Sequence, residues 1–419
     1  MWVPPAVIDL AAACAEAGGR AWLVGGVVRD HLLGRETVDF DIEVHGLEAA
    51  ELAALLRRFG RVSEVGRSFG VYRIHRPELA MDVSLPRRDS NSGPGHRGIQ
   101  VQGDPFLGVV EAARRRDLTI NAIMIDPLSG EEADPFGGRA DLRDGLLRAV
   151  DAETFLDDPL RALRVVQFAG RFGFLPTPEL VELCRRAPLD ELPGERLAAE
   201  LEKLLLASPR PSIGLQVALD CEVVARVLPE VAAAGVEGLG AVLDRAAAMR
   251  DGLDGALPPL ALMLGCLLHR LDPTPAEALL DRLRVHSSRG YPLRARVLGA
   301  LSTWRAAREA LDDTALRSLA EEQHLSLVLR IAMAVDEGEQ PGRSLERARA
   351  LGVADQPLPV LIGGRQLGEL GVPPGPRMGE LLAQIRRAQL QGEVASAHDA
   401  LELAARLAGS SKPPEPERA

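Results

Sequence analysis

Two aspartates one residue apart, Asp39 and Asp41, follow shortly after a Gly25-Gly26 pair that closes an apolar stretch. Positions i and i+2 of a strand point to one face, so both carboxylates would crowd a single spot and repel unless a cation lies between them. A Gly-rich turn followed by paired acids suggests phosphate handled through bound Mg²⁺, a hard cation that shares its oxygen ligands with substrate phosphates. Asp82, inside the apolar run Ala80-Met81-Asp82-Val83, is a third candidate, because a lone charge there needs a partner or a metal. Three carboxylates on neighbouring strands could hold two such ions. In Gly25-Gly26-Val27-Val28-Arg29-Asp30 the exposed backbone N–H groups could approach phosphate, with Arg29 adding a fixed fork for a triphosphate. The bland readings of these residues are a plain turn, a surface ion pair and the alternating acids of an exposed strand.

The elements that must position these groups read as mixed α/β up to about residue 150. Helical spacing over 6–18 ends at Gly18-Gly19, and Ala21-Trp22-Leu23-Val24 reads as a short buried strand. A short helix from Val27 to Leu33 stops at Gly34, and a strand then runs through Asp39 and Asp41. A helix from Ala49 to Phe59 and strands at Val71–His75 and Leu79–Leu85 follow. A polar, Gly- and Pro-bearing loop, Arg87–Gly98, precedes the basic run Arg114-Arg115-Arg116-Asp117 and the apolar Ile120–Ile125. From Asp157 onward helical periodicity dominates to about residue 350. On a helix Asp158, Arg161 and Arg164 would share one polar stripe, which an exposed ion-pair helix would also produce. Prolines and glycines crowd Gln356–Pro376, helical spacing returns over Met378–Gln391 and Ser396–Leu407, and Ser410–Ala419 reads as a frayed tail.

A length of 419 residues exceeds one compact core and predicts two to four units. The 46% hydrophobic and 26% charged composition is that of a soluble globular protein. No apolar run approaches the roughly 20 residues that span a bilayer, and Met1–Pro5 lacks a basic leader, so a cytoplasmic protein is expected. Cys14, Cys184, Cys221 and Cys266 stand singly, without zinc or redox spacing, and read as buried thiols. The net charge of −11 excludes a general basic coat but leaves room for a local basic patch. Lys203 and Lys412 are the only lysines, so any such patch is built from arginine, which suits bidentate contacts to phosphate and bases.

Four ordered segments share a resemblance: Gly25-Gly26-x-Val28-Arg29-Asp30-x-Leu32-Leu33-Gly34; Asp39-x-Asp41; Arg115-Arg116-Asp117-Leu118-Thr119-Ile120-Asn121-Ala122; and Asp157-Asp158-Pro159-Leu160-Arg161-Ala162-Leu163-Arg164. Together they resemble the bacterial class II tRNA nucleotidyltransferases (CCA-adding enzymes) and their poly(A) polymerase relatives. The resemblance implies an α+β fold with a polymerase β-like nucleotidyltransferase head built on a mixed sheet, then a mostly α-helical neck, body and tail. The divisions expected are head 1–147, neck 148–207, body 208–350 and a tRNA-binding tail 351–419. It further implies template-independent addition of CMP and AMP to the tRNA 3′ end from CTP and ATP, with Mg²⁺ as cofactor.

Carried over by position, Asp39, Asp41 and Asp82 are the metal-holding acids, and Gly25, Gly26 and Arg29 match the phosphate motif. Arg116, Asp117 and Asn121 match the ribose motif, while Asp158, Arg161 and Arg164 match the residues that read the base edge. Asp157 stands where the family usually has Glu, and Gln167 where a basic residue is common. Members that add only CC tend to have a shortened loop where Arg87–Gly98 stands, so its presence favours terminal A addition. Leu361-Ile362-Gly363-Gly364-Arg365-Gln366-Leu367 and Arg386-Arg387 resemble the tail expected to grip tRNA. Some relatives carry a His-Asp phosphohydrolase domain. The one such dipeptide, His398-Asp399, lacks partners and reads as an ordinary helix start. Competing readings are an A-adding, CC-adding or poly(A)-adding sibling, a catalytically inactive RNA-binding protein, and a small-molecule nucleotidyltransferase, which the long helical C-terminal half disfavours.

Overall fold

The computed structural model describes residues 2–64, 71–76, 79–91, 99–253 and 255–409. Contacts divide the chain into two compact units, Met1–Pro229 and Glu230–Ala419.

The first unit opens with α1 (Pro5–Glu16), β1 (Arg20–Val24), α2 (Gly26–Leu32), β2 (Asp39–His45) and α3 (Ala49–Leu56). Strands β3 (Arg61–Glu64), β4 (Val71–Arg76), β5 (Leu79–Ser84), β6 (Arg87–Asn91) and β7 (Ile99–Gly103) follow, then α4 (Val109–Arg114), β8 (Met124–Ile125) and β9 (Glu132–Ala133). Among the described residues seven strands form one sheet in the order β3-β4-β5-β2-β1-β8-β9. Only β2 and β5 pair in parallel, so the sheet is mixed as expected. In β2, Phe40, Ile42 and Val44 are buried while Asp39 and Asp41 are exposed, the alternation that a half-buried strand requires. Glu43 breaks the pattern, lying on the acids' face yet fully buried.

The polar segment read as a loop over Arg87–Gly98 differs in the structure. Arg87–Asn91 is strand β6, paired antiparallel with β7 in a separate two-stranded ribbon. Its polar composition hid a ladder that needs only backbone groups. The rest of that segment, 92–98, lies outside the described residues, as does the tail reading for 410–419.

Helices α5 (Gly138–Asp144), α6 (Ala152–Phe155), α7 (Leu160–Phe172), α8 (Pro178–Arg186) and α9 (Gly194–Ala207) complete the part of this unit that bears on the pocket. A two-residue strand, Leu175–Pro176, pairs with Leu146–Leu147 where strand signals had faded. Helix α7 buries Ala162, Val165, Val166 and Ala169 against the core. Its other face presents Arg161, Arg164, Gln167, Phe168 and Arg171, spaced three and four apart. All four cysteines are buried and reduced. Cys184 and Cys221, isolated in sequence, hydrogen-bond to each other.

The second unit is helical. Its helix Leu325–Val335 is buried on nearly all sides, and Gly265 lets it approach the helix Pro259–Leu268, since a Cβ there would meet Ile331 Cδ1. A helix, Gly364–Glu369, lies within the Pro- and Gly-rich stretch, followed by Pro376–Gln391 and Ala397–Ala408. Ile362, Leu367, Leu381, Ile385 and Ala404 belong to one apolar cluster joining these three helices. His398-Asp399 has the bland role expected of it. Ser396 caps the last helix, and the Asp399 carboxylate accepts from the Ser396 N–H at 3.0 Å. Among the described residues no helix is long and apolar enough to cross a membrane.

Candidate active site

The site grows out of the turn between β1 and α2. Gly25 adopts φ +73°, a conformation that disfavours any side chain, and a Cβ there would lie 3.1 Å from Arg116 Nη1 and 3.6 Å from Asp41 Oδ2. The turn therefore brings backbone against two of the candidate functional groups at once. Asp41 and Asp82 are register partners across β2 and β5, so they share a face, with Asp39 two residues back on the same side. Burial is the main cause raising the Asp41 carboxyl above its usual range; Arg116 opposes that shift, and Asp82 and Asp39 add to it. Asp41 thus lines the cavity among like charges, which is the electrostatic setting a cation would relieve.

Asp82 is engaged by Arg73, whose Nε and Nη2 donate to the two carboxylate oxygens at 2.7 and 2.5 Å. Among the described residues no three His, Cys, Asp or Glu side chains stand gathered as a metal site. The acids share one side of the sheet, then, but Asp82 would have to leave Arg73 to join the other two around an ion.

Behind the acids a buried network joins motifs far apart in sequence. Arg29 donates through Nε and Nη2 to Asp30 Oδ1 at 2.9 and 2.8 Å, and through Nη1 to Asn121 Oδ1 at 2.7 Å. Asn121 Nδ2 donates to Asp117 Oδ1 at 2.9 Å, and Arg164 Nε donates to Asp117 Oδ2 at 2.6 Å. Burial opposes ionisation of Asp117, but the Arg164 charge and the Asn121 and Arg164 hydrogen bonds win and hold it below the usual carboxylate range. Arg29 lines the cavity as expected, yet it is already partnered. Arg29 is buried, packs over Phe168 and Phe172, and commits three of its five N–H donors to Asp30 and Asn121. It braces the site, and Arg116, Arg164 and Arg171 line the cavity beside it.

The base-edge residues are also engaged. Arg161 donates to the Thr154 and Arg115 carbonyls at 2.8 and 2.6 Å, and Asp158 pairs with Arg196 at 3.1 Å while accepting from the Leu160 N–H. Asp158 precedes α7, so the polar stripe runs from the helix entrance through Arg161 and Arg164 and continues to Gln167 and Arg171.

Sequence reading passed over Glu43, Arg171 and Lys203. Glu43 accepts from Arg115 Nη2 at 2.7 Å, has Arg116 Nη2 at 3.7 Å, and lies 3.2 Å from His45 Nε2. Burial opposes its ionisation, but the His45 hydrogen bond and the Arg116 and Arg115 charges hold its carboxyl down at about 2. The available signal was the third acid in the alternation Asp39, Asp41, Glu43. In the second unit, Arg386 of the expected tRNA-gripping pair donates to the Leu358 and Pro359 carbonyls and pairs with Glu321.

Ten of the twelve candidate metal- and nucleotide-binding residues line one cavity of about 500 Å³, the size of a small-molecule site; Asp39 and Asp82 are the exceptions, on the same face of the sheet. Seven basic side chains line it against three acidic ones, in a chain of net charge −11. The chain is positive where a polyanion would bind.

Comparison with known proteins agrees with this construction. Residues 21–148 match the Poly A polymerase head domain, and residues 276–405 match the tRNA nucleotidyltransferase domain 2. A multifunctional CCA protein of Aromatoleum aromaticum is 37% identical over 315 residues, covering 67% of this chain and 73% of that protein. Its counterpart in Pseudomonas aeruginosa is 36% identical over 293 residues, covering 64% and 67%. Among solved structures, the Bacillus stearothermophilus CCA-adding enzyme in complex with CTP superposes with a TM-score of 0.72 at 25% identity, covering 97% of this chain and 99% of that one. An apo form of a CCA-adding enzyme gives 0.73 at 24% identity, covering 97% and 95%, a likeness of fold. In sequence and in fold, the chain belongs to the bacterial tRNA nucleotidyltransferase family of CCA-adding enzymes.

Proposed function

We propose that this protein completes or repairs the 3′-terminal CCA of tRNA, adding CMP and AMP from CTP and ATP without a nucleic-acid template. The observation that carries the reading is the convergence of four separated motifs on one arginine-lined cavity beside the paired acids of β2. The tRNA 3′-hydroxyl attacks the α-phosphorus in line, and pyrophosphate leaves.

Asp39 and Asp41 would hold two divalent cations, which we take to be Mg²⁺, and Asp82, once released by Arg73, would help hold the one nearer the attacking hydroxyl. The like-charge crowding at Asp41 supports that fit. Bound there, one ion would supply Lewis acidity to the attacking hydroxyl and the other would offset charge on the triphosphate and leaving pyrophosphate. The chain's own residues do the rest. Gly25 and Gly26 leave backbone N–H groups open to the phosphates, and Arg116 lies against that turn with a charge to offset theirs. Asp117 and Asn121, fixed by Arg164 and Arg29, orient the ribose. Asp158, Arg161 and Arg164 read the base edge, a carboxylate accepting from the exocyclic amine while a guanidinium donates to ring acceptors. Asp158 and Arg161 must trade Arg196 and the two carbonyls for the base, a rearrangement that suits a pocket serving both C and A. We also read the chain as head 1–147, neck 148–207, body 208–350 and a tRNA-binding tail 351–419, working in the cytoplasm.

The test uses three tRNAs, ending before the first C, before the A, and after complete CCA, each supplied with CTP, ATP and Mg²⁺. Addition of CCA to the first, of A to the second and of nothing to the third is expected. Arrest of the first substrate at CC would replace this reading with a CC-adding sibling, and extension of the third with a poly(A) polymerase.

A further inference from the structure

Glu43 lies two residues beyond Asp41 on the same face of β2, but is wholly enclosed. A buried carboxylate is costly unless its charge is answered, and here consecutive arginines answer it, Arg115 at 2.7 Å and Arg116 at 3.7 Å. Both arginines line the cavity, and among the described residues the buried Nε–H groups of both have no hydrogen-bond partner, so their hold on Glu43 is concentrated at the guanidinium ends. His45 closes the far side of the carboxylate, its ring fixed by Nδ1 on the Leu107 carbonyl at 3.0 Å.

Two adjacent guanidiniums repel each other, and the nearest other acid at the Gly25 turn is Asp41. Without Glu43, Arg116 would be drawn onto Asp41, neutralising the acid and withdrawing its own charge from the ligand. We propose that Glu43 is a positioning residue that sets Arg115 and Arg116 toward the anionic groups of the incoming nucleotide and holds Arg116 off Asp41. This inference rests on the nucleotidyl-transfer reading for the identity of the ligand. It adds that the third acid of β2 acts through the two arginines and touches neither nucleotide nor metal.

The experiment compares wild type, E43Q and E43D by steady-state incorporation at saturating tRNA and by calorimetric binding of CTP without tRNA. Melting curves confirm that each variant is folded under assay conditions. E43Q is expected to raise both KM and Kd for CTP by about tenfold, the size of one lost charge-assisted contact, while kcat moves less than about threefold. E43D, which keeps the charge but shortens the reach, should recover part of the loss, and it carries the test if E43Q does not fold. In an R115A/R116A background, E43Q should add nothing further. A CTP Kd in E43Q within about twofold of wild type, a fall in kcat with KM unchanged, or an additive loss in the double-arginine background would overturn the proposal. If wild type binds CTP but incorporates nothing, the transfer reading fails, and the effect of E43Q on CTP binding still decides this one.

Discussion

The cavity of the first unit and the helical cluster at the end of the second are built on opposite principles. The cavity wall buries Arg29, Glu43, Asp117 and Asn121, groups that are stable there only because each holds another. The terminal cluster buries Leu367, Ile385, Ala400 and Ala404, which need nothing but one another. Packing of the second kind tolerates exchange of one apolar residue for another of similar size. A network of the first kind does not, because removing one member leaves its partners buried and unanswered. Chemistry of the kind proposed needs charges fixed before the ligand arrives, and the cavity carries the cost of that preorganisation.

Mutation can break the contrast at three strengths. The largest effect is expected from Asp41→Ala, which should reduce CMP and AMP incorporation below detection while the melting transition persists; full activity in that variant would end the metal-site assignment. Next, Asp117→Asn should cost about 3 kcal/mol of stability at pH 7, since it leaves Arg164 without its buried partner. Because the folded-state carboxyl of Asp117 lies below its unfolded value of 3.8, its contribution is present above that pH and is lost as pH falls through the folded pKa. The gap between wild type and Asp117→Asn in denaturant titrations should therefore close on acidification below pH 3.8, and a gap independent of pH would refute the ion-pair account. The smallest effect on nucleotide use is expected from Leu367→Ala. It removes a fully buried side chain, should cost the terminal cluster about 2–5 kcal/mol, and should leave the CTP KM unchanged. A changed CTP KM would show that the two kinds of packing are not independent.

These regions were also legible in the sequence to different degrees. The helices Pro376–Gln391 and Ala397–Ala408 followed from spacing alone, and β1, β2, β4 and β5 from apolar runs and alternation. The motif residues were recognisable by type and order, and most of them do meet in one cavity. What the sequence did not disclose was partnership. Arg29 looked like a fork for phosphate because nothing local shows that Asn121, 92 positions away, accepts from it. Glu43 drew no attention because its two arginines, Arg115 and Arg116, arrive from more than 70 positions downstream. Strand β6 escaped because its residues are polar and its ladder lies in the backbone. Long-range pairing between side chains leaves no periodic trace, which is why scaffolding was easier to read than the wiring of the pocket.

The parallel pairing of β2 with β5 has a consequence for how this enzyme family can change. Asp41 and Asp82 are held opposite each other by the ladder itself, at the interstrand spacing of about 4.8 Å. The chain between them, through α3, β3 and β4, can lengthen or shorten at its loops without altering that separation. Evolution is thus left at liberty to remodel the connecting excursion while the two acids stay in step, and divergence among relatives should pool in the excursion.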